Sequence, residues 1–374
     1  MKVMLVVNSA WNVVNFRSGL IRALVATGYT VVVVAPYDQH AVKIEGLGCR
    51  YLPLSMDNKG MNPWRDLKLM ARLFLLMRLE RPDIFLGYTV KPNIYGSLAA
   101  HVLKIPAINN IAGLGTVFIQ EGMLSRMVKI MYRIALYRSV RVFFQNDDDR
   151  LLFTTQRLVP NRSCDILPGS GVDLLKFRPV ALPSRPLLRF LLVARVLWDK
   201  GIGEYVKAAE LLQRRGIKAE CCLLGFIDVQ NPTAISKDQI VAWTEKGFVS
   251  YLGATDDVAE EIARADCVVL PSYREGTPRA LLEAAAMARP IVASNATGCR
   301  EVVEDGVNGY LCRPRDPHDL AEKMERMVKL SRTDREAMGL RGRQKIERQF
   351  DEQFVIRKYL NILEQTGNLS NREG

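Results

Sequence analysis

Histidine is scarce: His40, His101 and His318 are the only three in a chain of 374 residues, too few and too scattered for a histidine-based zinc centre. The cysteines, at 49, 164, 221, 222, 267, 299 and 312, lack metal-ligand spacing and sit mostly inside apolar runs, so they read as reduced core residues of a cytoplasmic protein. No apolar stretch is long enough to cross a bilayer, and the N-terminus opens with a single Lys before a short strand, so neither a membrane span nor a signal peptide is visible. A glycine-rich dinucleotide fingerprint is also missing after that strand, where NSAWNVVNF stands instead, which argues against a dinucleotide cofactor. Zinc-finger spacing, an aromatic-and-glycine RNA signature and a long basic arm are absent, so nucleic acid is not the expected partner.

What the chain does have is an apolar fraction of 48% and enough length for two domains, each burying its own core. Its net charge of +12 is unevenly placed. Residues 1–165 carry 21 Lys and Arg against 11 Asp and Glu, while the remainder is nearly balanced at 31 against 29. An anionic partner is therefore expected on the first half, such as an anionic membrane surface or a polyphosphate-bearing substrate.

Continuous apolar strands alternate with helical stretches throughout, the mark of parallel sheets covered on both faces. Strands are expected at Lys2–Asn8, Thr30–Ala35, Ile84–Tyr88, Ala107–Ile111, Val140–Asn146 and Asp165–Leu167. A helix over Asn15–Thr27 joins the first two. After a proline-rich linker the alternation restarts at Phe190–Ala194, Glu220–Leu224, Val249–Leu252, Val268–Leu270, Ile291–Ala293 and Tyr310–Cys312. The fold class is α/β, with a Rossmann-like domain over 1–175, a second over 185–348, and a helix over 349–366 crossing back to the first. Two stretches of the first domain, Trp64–Arg81 and Met123–Arg138, mix Lys and Arg with large apolar residues; each by itself suits a membrane interface or a core-facing helix with snorkelling cations, and taken with the basic first half they favour association with a membrane.

Cys267–Ser294 carries the strongest chemistry. Pro271 stops an apolar strand, Thr277 suits an N-cap and Pro278 a first helical residue, so a helix is expected from Pro278 to about Ala288. The amino end of that helix, Gly276, Thr277, Pro278 and Arg279, suits a phosphate. Glu275 precedes the helix and Glu283 lies inside it; on spacing alone the two fit either one long ligand or ordinary surface positions. Arg195 and Lys200, after the first strand of the second domain, face the same carboxyl edge of the sheet and suit a diphosphate. In the first domain Lys91, Asn93, Gly113 and Gly115 follow strand ends and are candidates for a ligand-facing cleft. Asp147, Asp148 and Asp149 fit a helix cap better than a metal site, and no metal is assigned.

With these residues in place the chain resembles the retaining glycosyltransferases of family 4, through NFRSGL, KPNIYGSLAA, NNIAGLGTVF, FFQNDDD, YREGTPRALLEA and GCREVVEDGVNGYL. Its phrases are most similar to the subgroup that extends undecaprenyl-diphosphate-linked sugars. The resemblance implies a GT-B architecture, two Rossmann-like domains with parallel sheets facing across a cleft. It also implies transfer of an N-acetylhexosamine, GalNAc or GlcNAc, from a UDP-sugar to a polyprenyl-diphosphate-linked saccharide, without cofactor or metal, by a peripheral enzyme on the inner face of the cytoplasmic membrane. By resemblance Glu275 would assist at the anomeric centre, Glu283 would hold the ribose, and Arg195 and Lys200 would neutralise the leaving UDP. Ala112 stands where many relatives have His beside the donor sugar, which leaves the sugar open. Competing readings are transfer of a neutral hexose, a nucleotide-sugar epimerase, which the three scattered histidines disfavour, and a non-enzymatic sugar-nucleotide sensor.

Overall fold

A computed structural model describes residues 1–57, 62–114, 122–227 and 231–373, with side chains described through 368. The chain divides into two compact units, Met1–Ser170 with Glu352–Gly374, and Gly171–Asp351.

The first unit runs β1 (Lys2–Val6), α1 (Ala10–Phe16), α2 (Ser18–Ala26), β2 (Thr30–Ala35), α3 (Ala41–Glu45), β3 (Arg50–Pro53), α4 (Pro63–Glu80), β4 (Ile84–Tyr88), α5 (Ser97–Val102), β5 (Ala107–Ile111), α6 (Met123–Leu136), β6 (Arg141–Phe144), α7 (Asp147–Thr155) and β7 (Cys164–Ile166). All strand pairs are parallel, in the order β3-β2-β1-β4-β5-β6-β7, so the order reverses between β1 and β4. The apolar strands alternate between two cores: Val3 and Leu5 face one, Met4 and Val6 the other. A strand in a doubly covered sheet needs apolar side chains on both faces, which is why β1 and β2 read as unbroken hydrophobic runs.

The second unit runs β8 (Leu188–Val193), α8 (Ile202–Arg214), β9 (Ala219–Leu224), α9 (Lys237–Glu245), β10 (Ser250–Tyr251), α10 (Val258–Ala263), β11 (Cys267–Leu270), α11 (Arg279–Ala286), β12 (Ile291–Ser294), α12 (Cys299–Val302), β13 (Gly309–Cys312), α13 (Pro317–Lys329) and α14 (Arg332–Gln349). Its parallel order is β10-β9-β8-β11-β12-β13, reversing between β8 and β11. The final helix, α15 (Glu352–Glu373), belongs to the first unit, where Val355, Tyr359 and Leu363 pack into the same core as Val3 and Leu5.

Two sequence expectations are corrected, one helix and one strand, while the aspartate triplet and the cysteines fall as expected. The helix expected over Asn15–Thr27 is two helices: Ser9 caps α1 by accepting from the Asn12 amide, and the chain leaves helical geometry at Arg17, with φ −129° and ψ −3°. β3 was not anticipated, since its arginine and proline break the apolar run, yet it pairs with β2 through Val32↔Arg50 to Ala35↔Pro53. Asn146 caps α7 by accepting from the Asp149 amide, so the aspartate triplet forms a helix's first turn, where it complements the dipole. The cysteines are free thiols, six buried and Cys164 partly so, and burial pushes the Cys222 thiol up to about 11.

Among the described residues no helix is long and apolar enough to cross a membrane. α6 buries Val128, Tyr132, Ala135 and Leu136 in a core. Its opposite side exposes Met123, Met127, Ile130, Ile134 and Tyr137, a helical stripe, beside exposed Arg126, Arg133 and Arg138. α4 buries Leu69, Leu73 and Met77 and exposes Lys68, Arg72, Arg78, Leu75 and Leu79. Each helix therefore has a core-facing side and a second, basic and apolar side.

Candidate active site

The candidate site lies in the second unit, on loops leaving the carboxyl ends of β8, β11 and β12, three neighbours in the sheet. After β8 the chain passes Arg195, makes one tight helical turn over Trp198–Lys200, and reaches Gly201 in a left-handed conformation, φ 72°. A Cβ at Gly201 would meet the Pro271 carbonyl oxygen at 2.1 Å, so glycine is required for the β8 loop to pass the β11 loop this closely. The two loops are also joined by hydrogen bonds: the Tyr273 amide donates to the Asp199 carbonyl at 3.0 Å and the Ser272 hydroxyl to the same oxygen at 3.1 Å.

This junction brings Lys200 to Glu275, across 75 residues of sequence, with Nζ 2.5 Å from Oε1. Both side chains are largely enclosed, at 18% and 14% exposure. The Glu275 backbone is anchored from the third loop, its amide donating to the Thr297 carbonyl at 2.9 Å. Gly298, φ 88°, follows; a Cβ there would lie 2.7 Å from both the Glu275 Cβ and its carbonyl oxygen. Glu275 is thus held by three loops rather than by a helix.

The helix start differs from expectation. Pro278, not Thr277, takes the N-cap position of α11, with φ −72° and ψ 113° and no side-chain cap bond, and the helix begins at Arg279 and ends at Ala286. The proline ring fixes φ at a value that helix and extended chain share, so it is the ψ of 113° that keeps Pro278 outside the helix and moves the start by one residue. Arg279 then pairs one turn along the helix with Glu283, Nε to Oε1 at 2.9 Å. Burial raises the Glu283 carboxyl above its usual value, while Arg279 and then Lys176 oppose the rise. Gly276 and Pro278 are buried, and Thr277 and Arg279 half-buried, beside the two pairs. Arg195 is exposed at the same edge, and among the described residues no carboxylate pairs with it.

A further layer supports the loop. The Tyr273 hydroxyl donates to Glu204 Oε1 at 2.7 Å, and the Arg315 guanidinium stands 4.5 Å from the Tyr273 ring centroid. Glu204, Arg315, Thr297 and Gly298 escaped the sequence reading; of these only Gly298 carried a signal, as a glycine opening the phrase GCREVVEDGVNGYL.

The first-unit candidates fare differently. Lys91 Nζ lies 2.5 Å from Asp66 Oδ1, and the Tyr95 hydroxyl donates to Asp66 Oδ2 at 2.9 Å. Asn93 is corrected from a ligand-facing residue to an interior one: it is 1% exposed, its Nδ2 donates to the Asn110 carbonyl at 2.9 Å, and its Oδ1 accepts from Asn109 at 3.0 Å. Asn109 also donates to Ser97 at 2.8 Å and accepts from Ser139 at 2.7 Å, which satisfies a polar network inside β5. Gly113 takes φ 126° after β5; Gly115 lies outside the described residues.

Residues 2–146 match the family model "Glycosyl transferase 4-like" and 188–329 match "Glycosyl transferases group 1". The chain is 27% identical over 368 residues to the N,N'-diacetylbacillosaminyl-diphospho-undecaprenol alpha-1,3-N-acetylgalactosaminyltransferase of Campylobacter jejuni, covering 94% of this chain and 95% of that one. It is 24% identical to an Escherichia coli UDP-Gal:alpha-D-GlcNAc-diphosphoundecaprenol alpha-1,3-galactosyltransferase, covering 67% and 68%. Among solved structures, sucrose-phosphate synthase from Thermosynechococcus elongatus superposes with a TM-score of 0.83 at 17% identity, covering 99% and 100%, and Anabaena HepE with UDP at 0.76 and 17%, covering 98% and 100%. The shared fold is GT-B.

Proposed function

The chain belongs to the 4-like glycosyl transferases, and from that premise we propose that it moves an N-acetylhexosamine, GalNAc or GlcNAc, from a UDP-sugar to a polyprenyl-diphosphate-linked saccharide with retention of configuration. The observation that carries the reading is the Lys200–Glu275 pair at the carboxyl edge of β8 and β11, the edge after which Arg195 and the amino end of α11 also follow. Transfer breaks the bond from the sugar C1 to the β-phosphate oxygen and forms one from C1 to an acceptor hydroxyl oxygen, whose proton passes to the departing phosphate. The need is for fixed positive charge where negative charge develops, and Arg195, Lys200 and the α11 helix dipole supply it without a metal. Glu275, freed from Lys200 as the diphosphate arrives, faces the sugar; Glu283 takes the ribose hydroxyls. Radiolabelled donor with a polyprenyl-diphosphate sugar, in EDTA, should give a longer lipid-linked product whose anomeric proton coupling reports an α linkage. An inverted product, or a rate abolished by EDTA, refutes the corresponding element of the proposal.

The lipid acceptor places the enzyme on the inner face of the cytoplasmic membrane. The exposed stripe of α6, with its arginines, and the basic outer side of α4 support association with an anionic leaflet. A second reading, transfer of a neutral hexose, draws on Ala112, which offers no imidazole to a donor sugar, and on the galactosyltransferase relative; a panel of UDP-sugars decides between them.

A further inference from the structure

The kink between α1 and α2 turns Arg17 inward to 4% exposure. Its guanidinium carbon stands 4.1 Å from the ring centroid of Tyr88, the last residue of β4. Arg17 Nε is buried without a hydrogen-bond partner, and among the described residues no carboxylate pairs with the group. Beside it the Tyr88 ring lies 6.3 Å from that of Tyr359, and the Tyr359 hydroxyl accepts from Asn110 Nδ2 at 3.2 Å. Asn110 Oδ1 is likewise buried without a partner. An enclosed cation with no counter-charge is costly, and the ring of Tyr88 offsets only part of that cost. The position is informative as well: these residues end β4 and β5 next to the reversal of strand order at β1 and β4, where open parallel sheets bind ligands.

We propose that Arg17 is an anion-binding residue of the first unit, with the Tyr88 ring as its shelf, and that it takes a phosphoryl group. A guanidinium stacked on a ring leaves its edge for a bidentate contact with phosphate oxygens. The choice of phosphoryl over other anions rests on the proposed reaction, in which both substrates carry a diphosphate; the donor and the lipid acceptor are its two possible sources.

Thermal unfolding of the full chain with farnesyl diphosphate, standing in for the lipid diphosphate, or with UDP separates them. Wild type is stabilised by the ligand that Arg17 holds. In Arg17→Met, which keeps the packing but removes the charge, the unliganded protein unfolds at or above the wild-type temperature. Loss of the farnesyl diphosphate shift alone assigns the acceptor, and loss of the UDP shift assigns the donor. Arg17→Lys, which keeps the charge without the fork, should fold as wild type and bind that ligand about tenfold more weakly, separating lost recognition from misfolding. Unchanged shifts with both ligands in either folded variant, or no shift in wild type, overturn the assignment. A wild-type protein that binds these ligands yet transfers no sugar refutes the proposed reaction and leaves Arg17 as an anion site.

Discussion

Lys200 and Glu275 form an ion pair with Nζ 2.5 Å from Oε1, in a site where a diphosphate would compete for the lysine and a sugar for the glutamate. The pair balances its own charge without a ligand, so binding must exchange one salt bridge for another. Glu275→Gln keeps the shape and removes the exchange. We expect its turnover to fall by about 10²–10³-fold, the range for deleting one transition-state-stabilising group, and its unfolding midpoint to fall as well, because the largely enclosed Lys200 loses its counter-charge. Product formation at the wild-type rate would remove Glu275 from the chemistry.

Arg195 is exposed and its loss should leave no cavity. Arg195→Ala is expected to alter stability by no more than about 0.5 kcal/mol while lowering turnover by about 10²-fold. A stability loss matching the activity loss would make it a structural residue instead.

Gly298 and Gly306 both hold positive φ, 88° and 76°, but only Gly298 abuts Glu275, while a Cβ at Gly306 meets nothing within 4 Å. Gly306→Ala should cost only backbone strain, about 1–2 kcal/mol, and keep its activity. Gly298, at φ 88° and ψ −38°, lies outside the left-handed helical well, so Gly298→Ala carries at least that strain and in addition displaces Glu275, and activity should drop well beyond the loss of folded protein. Equal activity in the two variants, compared at equal folded fraction, would refute the role of Gly298 in placing Glu275.

Burial raises the Glu283 carboxyl above its usual 4.5, against the pull of Arg279. The folded protein then holds this proton more tightly than the unfolded chain. The resulting stability is present below the unfolded pKa and lost as pH rises through the raised folded value. Glu283→Gln removes that titration, so its stability, measured by urea unfolding from acid to neutral pH, should decline less steeply with pH than wild type. Parallel curves would contradict the assignment.

Ile130 and Ile134 are 59% and 58% exposed on the outer stripe of α6. Ile130→Glu with Ile134→Glu should leave the unfolding midpoint in place and abolish co-sedimentation with vesicles containing anionic lipid. Persistent sedimentation would move the membrane contact to another face.

Strand positions were legible because a doubly covered parallel sheet imposes a local signature: the expected limits of Thr30–Ala35, Ile84–Tyr88 and Ala107–Ile111 coincide with β2, β4 and β5. β3, with Arg50 and Pro53, carries no such signature and depends on its pairing with β2. The candidate site was legible as residue types on loops at one sheet edge, Arg195, Lys200 and Glu275, with Glu283 on the helix that follows, because loops after parallel strands must converge there.

The sequence by itself determined the two α/β units and the supply of cations and carboxylates at the carboxyl edge of the second, since both follow from short-range patterns of apolar runs and turns. Only the tertiary structure decided which charges meet. Lys200 reaches Glu275 because glycine at 201 lets two loops approach, and Arg279 takes Glu283 because one helical turn separates them. It likewise enclosed Asn93 in a satisfied polar network and left Arg17 enclosed without a counter-charge. Both began as polar residues at the ends of apolar segments; whether each finds a partner depends on side chains from distant elements, which no local pattern records.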